Sequence, residues 1–299
     1  MMKRTQTTPV GATVWTTRRL LAWTTEYLAK KGVGQSRMAS EMMLSHVLGV
    51  GRLKLYMDPD RPANDLEKAA FHELVERAAQ HEPVDYLVGA TPFFSMMLKV
   101  SKDVLVTRPS TESLVEHVVQ HARRTPGFHS PLIADIGTGS GAIAVSLAKH
   151  VPNSRILATD VCEEALRVAQ ANSLTHGVDD RIDFRLGNLL EPLAGQRVRY
   201  LASNPPYISD AQWSRVPRNV KDYEPVRALR GGVDGLKFIR PIIEQAPTCL
   251  DKPGQLVLEI DTTQKQAVLN LVHQTAGLTH EHILADHEGL PRVLVADRC

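Results

Sequence analysis

Residues 132–150, LIADIGTGSGAIAVSLAKH, decide how this chain folds. A short apolar run ends at Gly137, and a helical pattern begins just beyond Gly141, so Gly137, Gly139 and Gly141 sit where a strand turns into a helix. Glycines there let the backbone bend tightly and approach a ligand. The next predicted strand, RILATDV (155–161), carries Asp160, 25 residues after Asp135. A doubly wound sheet puts a carboxylate at that point to bind ribose hydroxyls, and N-capping of the following segment CEEALRVAQAN is a compatible structural reading. Two ligand classes fit such a half-site, a nicotinamide or flavin dinucleotide and S-adenosylmethionine. The order Asp135-x-Gly137-x-Gly139-x-Gly141 departs from the dinucleotide spacing GxGxxG and favours S-adenosylmethionine. An acid at 135 suits the cationic amino-acid end of that donor and conflicts with a pyrophosphate.

Outward from this segment the chain alternates strand and helix. Strands are predicted at 132–137, 155–161, 182–187, 200–204 and 255–260, separated by segments long enough for crossovers, which is a parallel α/β sheet. HEHILADH (280–287) and PRVLVADR (291–298), joined at Gly289, read as a closing hairpin that adds antiparallel strands near one edge. Upstream, residues 14–80 read as helices: one ends at Gly32 and Gly34, one is capped by Ser36 and closed by Gly49, and a third starts at Asn64 or Asp65. Trp15, Trp23, Met38, Met42 and Met43 lie at helical spacing and read as core, with a partner-facing groove as the alternative. The expected organisation is a helical domain over 1–85, a β-hairpin connector over 86–110 and a catalytic domain over 111–299.

The chain has 299 residues, 43% hydrophobic, with 35 basic and 33 acidic side chains. That composition buries a core and excludes disorder as the main state. The near-balanced charge does not suggest a nucleic-acid partner. Cys162, Cys249 and Cys299 are too few and scattered for a disulfide framework or zinc site. No metal site is expected; Glu281, His282, Asp286, His287 and Glu288 read as a solvated turn. Without a signal-like segment or an apolar span, the expectation is a soluble cytoplasmic protein with no membrane partner.

Asn204-Pro205-Pro206-Tyr207 follows the fourth strand of the α/β region, on the rim where ligands of such sheets bind. Two prolines hold an extended backbone, so the flanking groups point in fixed directions. The Asn204 oxygen and the Pro205 carbonyl can accept both hydrogens of a planar NH₂ group, while Tyr207 stacks on its plane. A carboxamide nitrogen is a poor nucleophile, and such a site would supply orientation and desolvation. The structural alternative is a strand stop with Asn204 capping a turn.

With these motifs in place, the chain resembles the class I S-adenosylmethionine-dependent methyltransferases, and within them the HemK/PrmC-type release factor glutamine methyltransferases. The likeness runs through EPVDYLVGATPFF (82–94), VTRPSTESLVE (106–116), DIGTGSGAIA, SNPPY, YEPVRALRGGVDGL (223–236) and GLPRVLVA. It implies a Rossmann-like seven-stranded sheet, S-adenosylmethionine as cofactor, and methylation of the Gly-Gly-Gln glutamine of peptide-chain release factors at its side-chain nitrogen. Carried over, Asn204 orients the substrate, Pro205 lends its carbonyl, Pro206 and Tyr207 complete the substrate site, and Tyr207 is the stacking wall. The implied cofactor contacts are Asp135, Gly137, Thr138, Gly139, Ser140, Gly141, Asp160, Asn188, Leu189 and Asn204, with Phe93 and Glu112 from the connector. Ser110, Asn188 and Asp261 depart from the family pattern. Two further readings stay open, a ribosomal protein L3 glutamine methyltransferase and an exocyclic-amine methyltransferase of nucleic acid. A degenerate binder of the donor is the non-enzymatic alternative.

Overall fold

A computed structural model describes residues 14–126 and 130–299 and divides the chain into two compact units at Val88/Gly89. The first unit holds α1 (Thr17–Lys30), α2 (Ser36–Leu48), α3 (Arg52–Met57), α4 (Asp65–Ala79) and α5 (Val84–Val88). Thr16 caps α1, and Asn64 with Glu67 forms a reciprocal capping box on α4. Ser36 is the first residue of α2 rather than its cap, because Gln35 before it takes the left-handed conformation. Leu28, Met43, Leu44, Phe71 and Val75 form the core of this unit. Trp23 stacks on Tyr27 at 5.0 Å but, like Met38, stays exposed, so the expected core set is only partly buried.

The second unit opens with a hairpin of β1 (Ala90–Phe93) and β2 (Met96–Lys99), turned by Phe94 and Ser95 at positive φ. The β-hairpin connector expected over 86–110 contains this hairpin, yet residues 86–88 at its start are helical. Pro83 starts that turn, its carbonyl accepting from the Tyr86 and Leu87 amides. Next come α6 (Pro109–Arg124), β3 (Leu132–Ile136), α7 (Ala142–His150), β4 (Arg155–Asp160), α8 (Glu163–His176), β5 (Ile182–Leu186) and β6 (Val198–Ser203). After these follow β7 (Ile208–Ser209), α9 (Arg218–Lys221), β8 (Arg230–Gly232), α10 (Ile239–Cys249), β9 (Leu250–Glu259), α11 (Lys265–Gln274), β10 (Thr279–Ala285) and β11 (Pro291–Arg298).

Seven strands form one sheet in the order β10-β11-β9-β6-β3-β4-β5. The five central and distal strands run parallel, and the closing hairpin pairs antiparallel with β9 through β11. This is the expected Rossmann-like seven-stranded sheet. Alternate residues serve opposite faces: Ile133 and Val257 join the cluster that includes Leu114 and Leu147, whereas Ala134, Ile136, Leu256 and Leu258 join Ile239 and Val268. Burial on both faces explains why these strands read as continuous apolar runs. The strand order reverses between β3 and β6, which opens a crevice at their carboxyl ends. Among the described residues no helix is long and apolar enough to cross a membrane.

A single buried amide joins hairpin, loop and helix. Asn172 on α8 accepts from the Lys99 amide at 2.7 Å and donates to the carbonyls of Lys99 and Ser140 at 3.0 and 2.8 Å. Truncating it strands buried backbone groups, so Asn172→Ala is expected to lower the unfolding free energy by about 2 to 4 kcal/mol. Urea denaturation measures this, and a loss no larger than that of an exposed substitution would contradict the assignment.

Candidate active site

The glycine loop leaves β3 with Gly137, Gly139 and Gly141 all at positive φ. A Cβ on Gly141 would meet the Cβ of Ala169 at 3.0 Å, so close packing of α7 on α8 also requires glycine there. The Thr159 carbonyl accepts from the amides of Gly137 and Thr138 at 2.9 and 2.8 Å. Asp160 fixes the other side, one carboxylate oxygen accepting from Gly139 N and the other from Cys162 N, each at 2.9 Å. Asp160 also lines the cavity beside the loop.

Gly137, Thr138, Gly139, Ser140, Asn188 and Leu189 line that same cavity. Leu189 holds a positive φ of 47°, an uncommon state for a branched side chain at the rim of a site. Gly141, also expected as a contact, does not line the cavity; it precedes α7 at the end of the loop. Three other expected contacts lie elsewhere. Asp135 is fully buried and does not line the cavity; it accepts from the Thr138 hydroxyl at 2.6 Å and the Ala144 amide at 3.1 Å, bracing the loop and the start of α7. Phe93 packs into the core with Leu98 and Leu114. Glu112 accepts from the Phe94 amide at 2.8 Å and secures the hairpin turn. Asp135 was placed near the site by its position before the glycine loop, Phe93 and Glu112 by the family resemblance, while the direction of each side chain followed from packing.

Asn204, Pro205 and Pro206 also line the glycine-loop cavity. Two features set them there. Ser203, at the end of β6, lies opposite Ile136 of β3 and donates its hydroxyl to the Ile136 carbonyl at 2.6 Å. Beyond the prolines, β7 pairs with β8, and Gln264 donates to the carbonyls of Tyr207 and Gly235 at 3.1 and 3.0 Å. Tyr207 lines a second, mainly apolar cavity with Leu105, Val216, Val220 and Leu229, and Asn204 borders both. Burial pushes the Tyr207 phenol well above its usual range, so it remains protonated. Arg108 reaches into this second cavity and is held by Glu224, Nη2 to Oε1 at 2.6 Å.

The sequence reading missed several contributors. Asp103, Leu105 and Thr107 of the connector line the first cavity, as do Thr111 on α6 and Arg227. Arg227 donates to Cys162 Sγ at 2.7 Å and to the Asp103 carbonyl at 3.3 Å, joining three distant segments. Glu259, at the carboxyl end of β9, is fully buried and accepts from the Ser110 and Thr111 hydroxyls at 2.8 and 2.5 Å. An acid closing the apolar strand QLVLE was the available signal. Burial raises the Glu259 carboxyl above its ordinary range, opposed first by the Thr111 and Ser110 hydroxyls and then by the charges of Arg292 and Arg108. The departing residues are accommodated: Ser110 serves Glu259, Asn188 lines the cavity, and Asp261 caps the turn at Thr262–Gln264.

Asp135 carries a pH signature. Burial, aided by the nearby charge of Asp160, pushes its carboxyl up to about 7 despite the hydrogen bonds from Thr138 and Ala144. Between the ordinary carboxylate range and that value the folded chain keeps a proton that the unfolded chain has released. Stability from this residue therefore falls as pH rises through the window and levels off above it. Asp135→Asn never ionises, so relative to wild type it gains stability on going from about pH 5 to about pH 8, read from urea midpoints. A pH-independent difference would contradict the buried, raised carboxyl.

Comparison with known proteins agrees with this geometry. Residues 19–89 match the PrmC N-terminal domain and residues 108–218 the methyltransferase small domain. A release factor glutamine methyltransferase of Geobacter sulfurreducens is 40% identical over 281 residues, covering 94% of this chain and 96% of that protein. One from Rhodopirellula baltica is 37% identical over 284 residues with the same coverage. Among solved structures, the hMettl16 catalytic domain in complex with MAT2A 3'UTR hairpin 6 aligns at a TM-score of 0.51 and 16% identity, over 67% of this chain and 74% of that one, a likeness of fold alone. With both halves of the motif set on one cavity and relatives matched nearly end to end, the chain belongs to the release factor glutamine methyltransferase family.

Proposed function

We propose that this methyltransferase transfers a methyl group from S-adenosylmethionine to the side-chain amide nitrogen of the Gly-Gly-Gln glutamine of a peptide-chain release factor, a substrate met in the cytoplasm. One observation carries the reading: Asn204 lines both the glycine-loop cavity and the second, apolar cavity, and of the residues common to the two, Leu105, Asn204 and Ala228, it alone has a side chain that can hydrogen-bond an amide. A methyl donor on one side and an amide on the other would meet there.

The residues present fit the donor. The positive-φ loop from Gly137 to Gly141 gives close backbone approach, Asp160 offers carboxylate lone pairs for ribose hydroxyls, and Asn188 with Leu189 borders the place for an adenine. When bound, S-adenosylmethionine supplies a methyl group made electrophilic by its sulfonium. On the acceptor side, Asn204 Oδ1 and the Pro205 carbonyl take the two amide hydrogens and aim the nitrogen. No strong base is needed to hold the acceptor, since a carboxamide gains most from alignment and loss of water. The half-buried Tyr207 ring walls the second cavity, and its neutral phenol adds no charge beside the amide. The helical N-terminal region is the proposed docking module for the protein substrate.

Mass spectrometry of a co-expressed release factor tests this directly. The expected result is one added methyl group on the Gly-Gly-Gln glutamine. Asn204→Ala should abolish the modification while donor affinity, measured by calorimetry, stays within about a few-fold, because the loss falls on alignment and not on donor binding. Methylation confined to RNA or to a ribosomal protein would overturn the acceptor assignment. Donor binding with no methylated product would identify a degenerate binder instead.

A further inference from the structure

An asparagine side chain is almost symmetric in shape, and its two ends differ in hydrogen-bond polarity. At position 204 that difference decides whether an acceptor NH₂ meets an oxygen or another NH₂. The choice is made two residues away. Thr111 Oγ1 lies 2.5 Å from one oxygen of the buried Glu259 carboxyl, and Ser110 Oγ donates to the other at 2.8 Å. Thr111 has one hydroxyl proton, and that proton is committed to Glu259. Only lone pairs remain for residue 204, so Asn204 turns its nitrogen toward Thr111, Nδ2 to Oγ1 at 3.1 Å. Asn204 Oδ1 is left without a hydrogen-bond partner among the described residues, at the wall shared by both cavities.

We propose that Glu259 and Thr111 are positioning residues, a two-step relay that sets the polarity of the Asn204 carboxamide so that its oxygen faces the acceptor amide. The proposal rests on the function argued above. The relay needs only that the Glu259 oxygen facing Thr111 accept, and Ser110 on the second oxygen restrains the carboxyl from rotating. A flipped Asn204 would set N–H against N–H, losing the bond that aligns the acceptor nitrogen. The three groups come from the start of α6, the end of β6 and the end of β9, so the relay also ties the acceptor site to the carboxyl rim of the sheet.

Thr111→Val removes the hydroxyl at nearly constant shape. With release factor as acceptor, kcat is expected to fall about tenfold to a hundredfold, a larger loss than that of donor affinity, and the unfolding midpoint should drop modestly because the buried Glu259 carboxyl loses one hydrogen bond. Thr111→Ser should restore kcat to within about a few-fold, since the hydroxyl is returned. Glu259→Gln should also lower kcat at preserved donor affinity, because an amide at 259 can donate to Thr111 and reverse the relay. Unchanged kcat in Thr111→Val, a loss of donor affinity as large as the loss of kcat, or no rescue by Thr111→Ser would overturn the proposal.

A second measurement needs no methyl acceptor. The Asn204 side-chain NH₂ signals, assigned by their loss in Asn204→Ala, should show one hydrogen-bonded, slowly exchanging proton in the wild-type protein. In Thr111→Val that proton should shift and exchange faster. Identical signals in both proteins would refute the relay. If the wild-type enzyme fails to methylate glutamine, the functional reading falls, and the amide signals still decide whether Thr111 orients Asn204.

Discussion

The site depends on the register between two parallel strands. β3 and β6 are neighbours at the point where the strand order reverses, and Ile136 lies opposite Ser203. The glycine loop begins one residue after Ile136 and the Asn-Pro-Pro-Tyr segment one residue after Ser203, so both leave the sheet at the same height. Ser203 fastens that level by donating to the Ile136 carbonyl. A slip of one residue would turn alternate side chains to the other face of the sheet and separate the two segments. The shared cavity is thus a property of strand pairing before any ligand is considered.

Two buried acids sit beneath this rim and act on backbone and side-chain geometry. Asp135 braces the glycine loop from below, and Glu259 anchors Thr111 and Ser110. Burial raises both carboxyls above their ordinary range, so each is held at a cost that its hydrogen bonds only partly offset. Glu259 is bonded through both oxygens and Asp135 through one alone, so the firmer restraint falls at Glu259, beside the acceptor site, where a weak nucleophile needs accurate alignment.

The second cavity depends on a small sheet that few would pick out of the sequence. β7 and β8 bring the chain after Tyr207 against Arg230–Gly232, and a Cβ on Gly231 would lie 2.5 Å from the Gly235 carbonyl oxygen and 2.8 Å from that of Pro206. Glycine is therefore demanded by close approach of backbones. Gln264 completes the enclosure by donating to both Tyr207 and Gly235. The YEPVRALRGGVDGL run serves the site through Glu224, Arg227 and this pair of glycines.

Local sequence determined the sheet-and-helix alternation, the glycine turn and the stiff Asn-Pro-Pro-Tyr exit, because apolar period, missing Cβ atoms and fixed proline φ act over a few residues. It also located Asp160 at a strand end, and the family resemblance pointed to Asn188 and Leu189; all three line the cavity. Tertiary structure alone decided which way side chains of equal promise turned. Asp135 went under the loop, Phe93 into the core and Glu112 to the hairpin turn, since burial and unsatisfied backbone amides claimed them first. The bonds that orient Asn204 join positions 111, 204 and 259, and no local pattern encodes partners so far apart. Sequence fixes what each short segment is able to do; the pairing of strands fixes which segments meet.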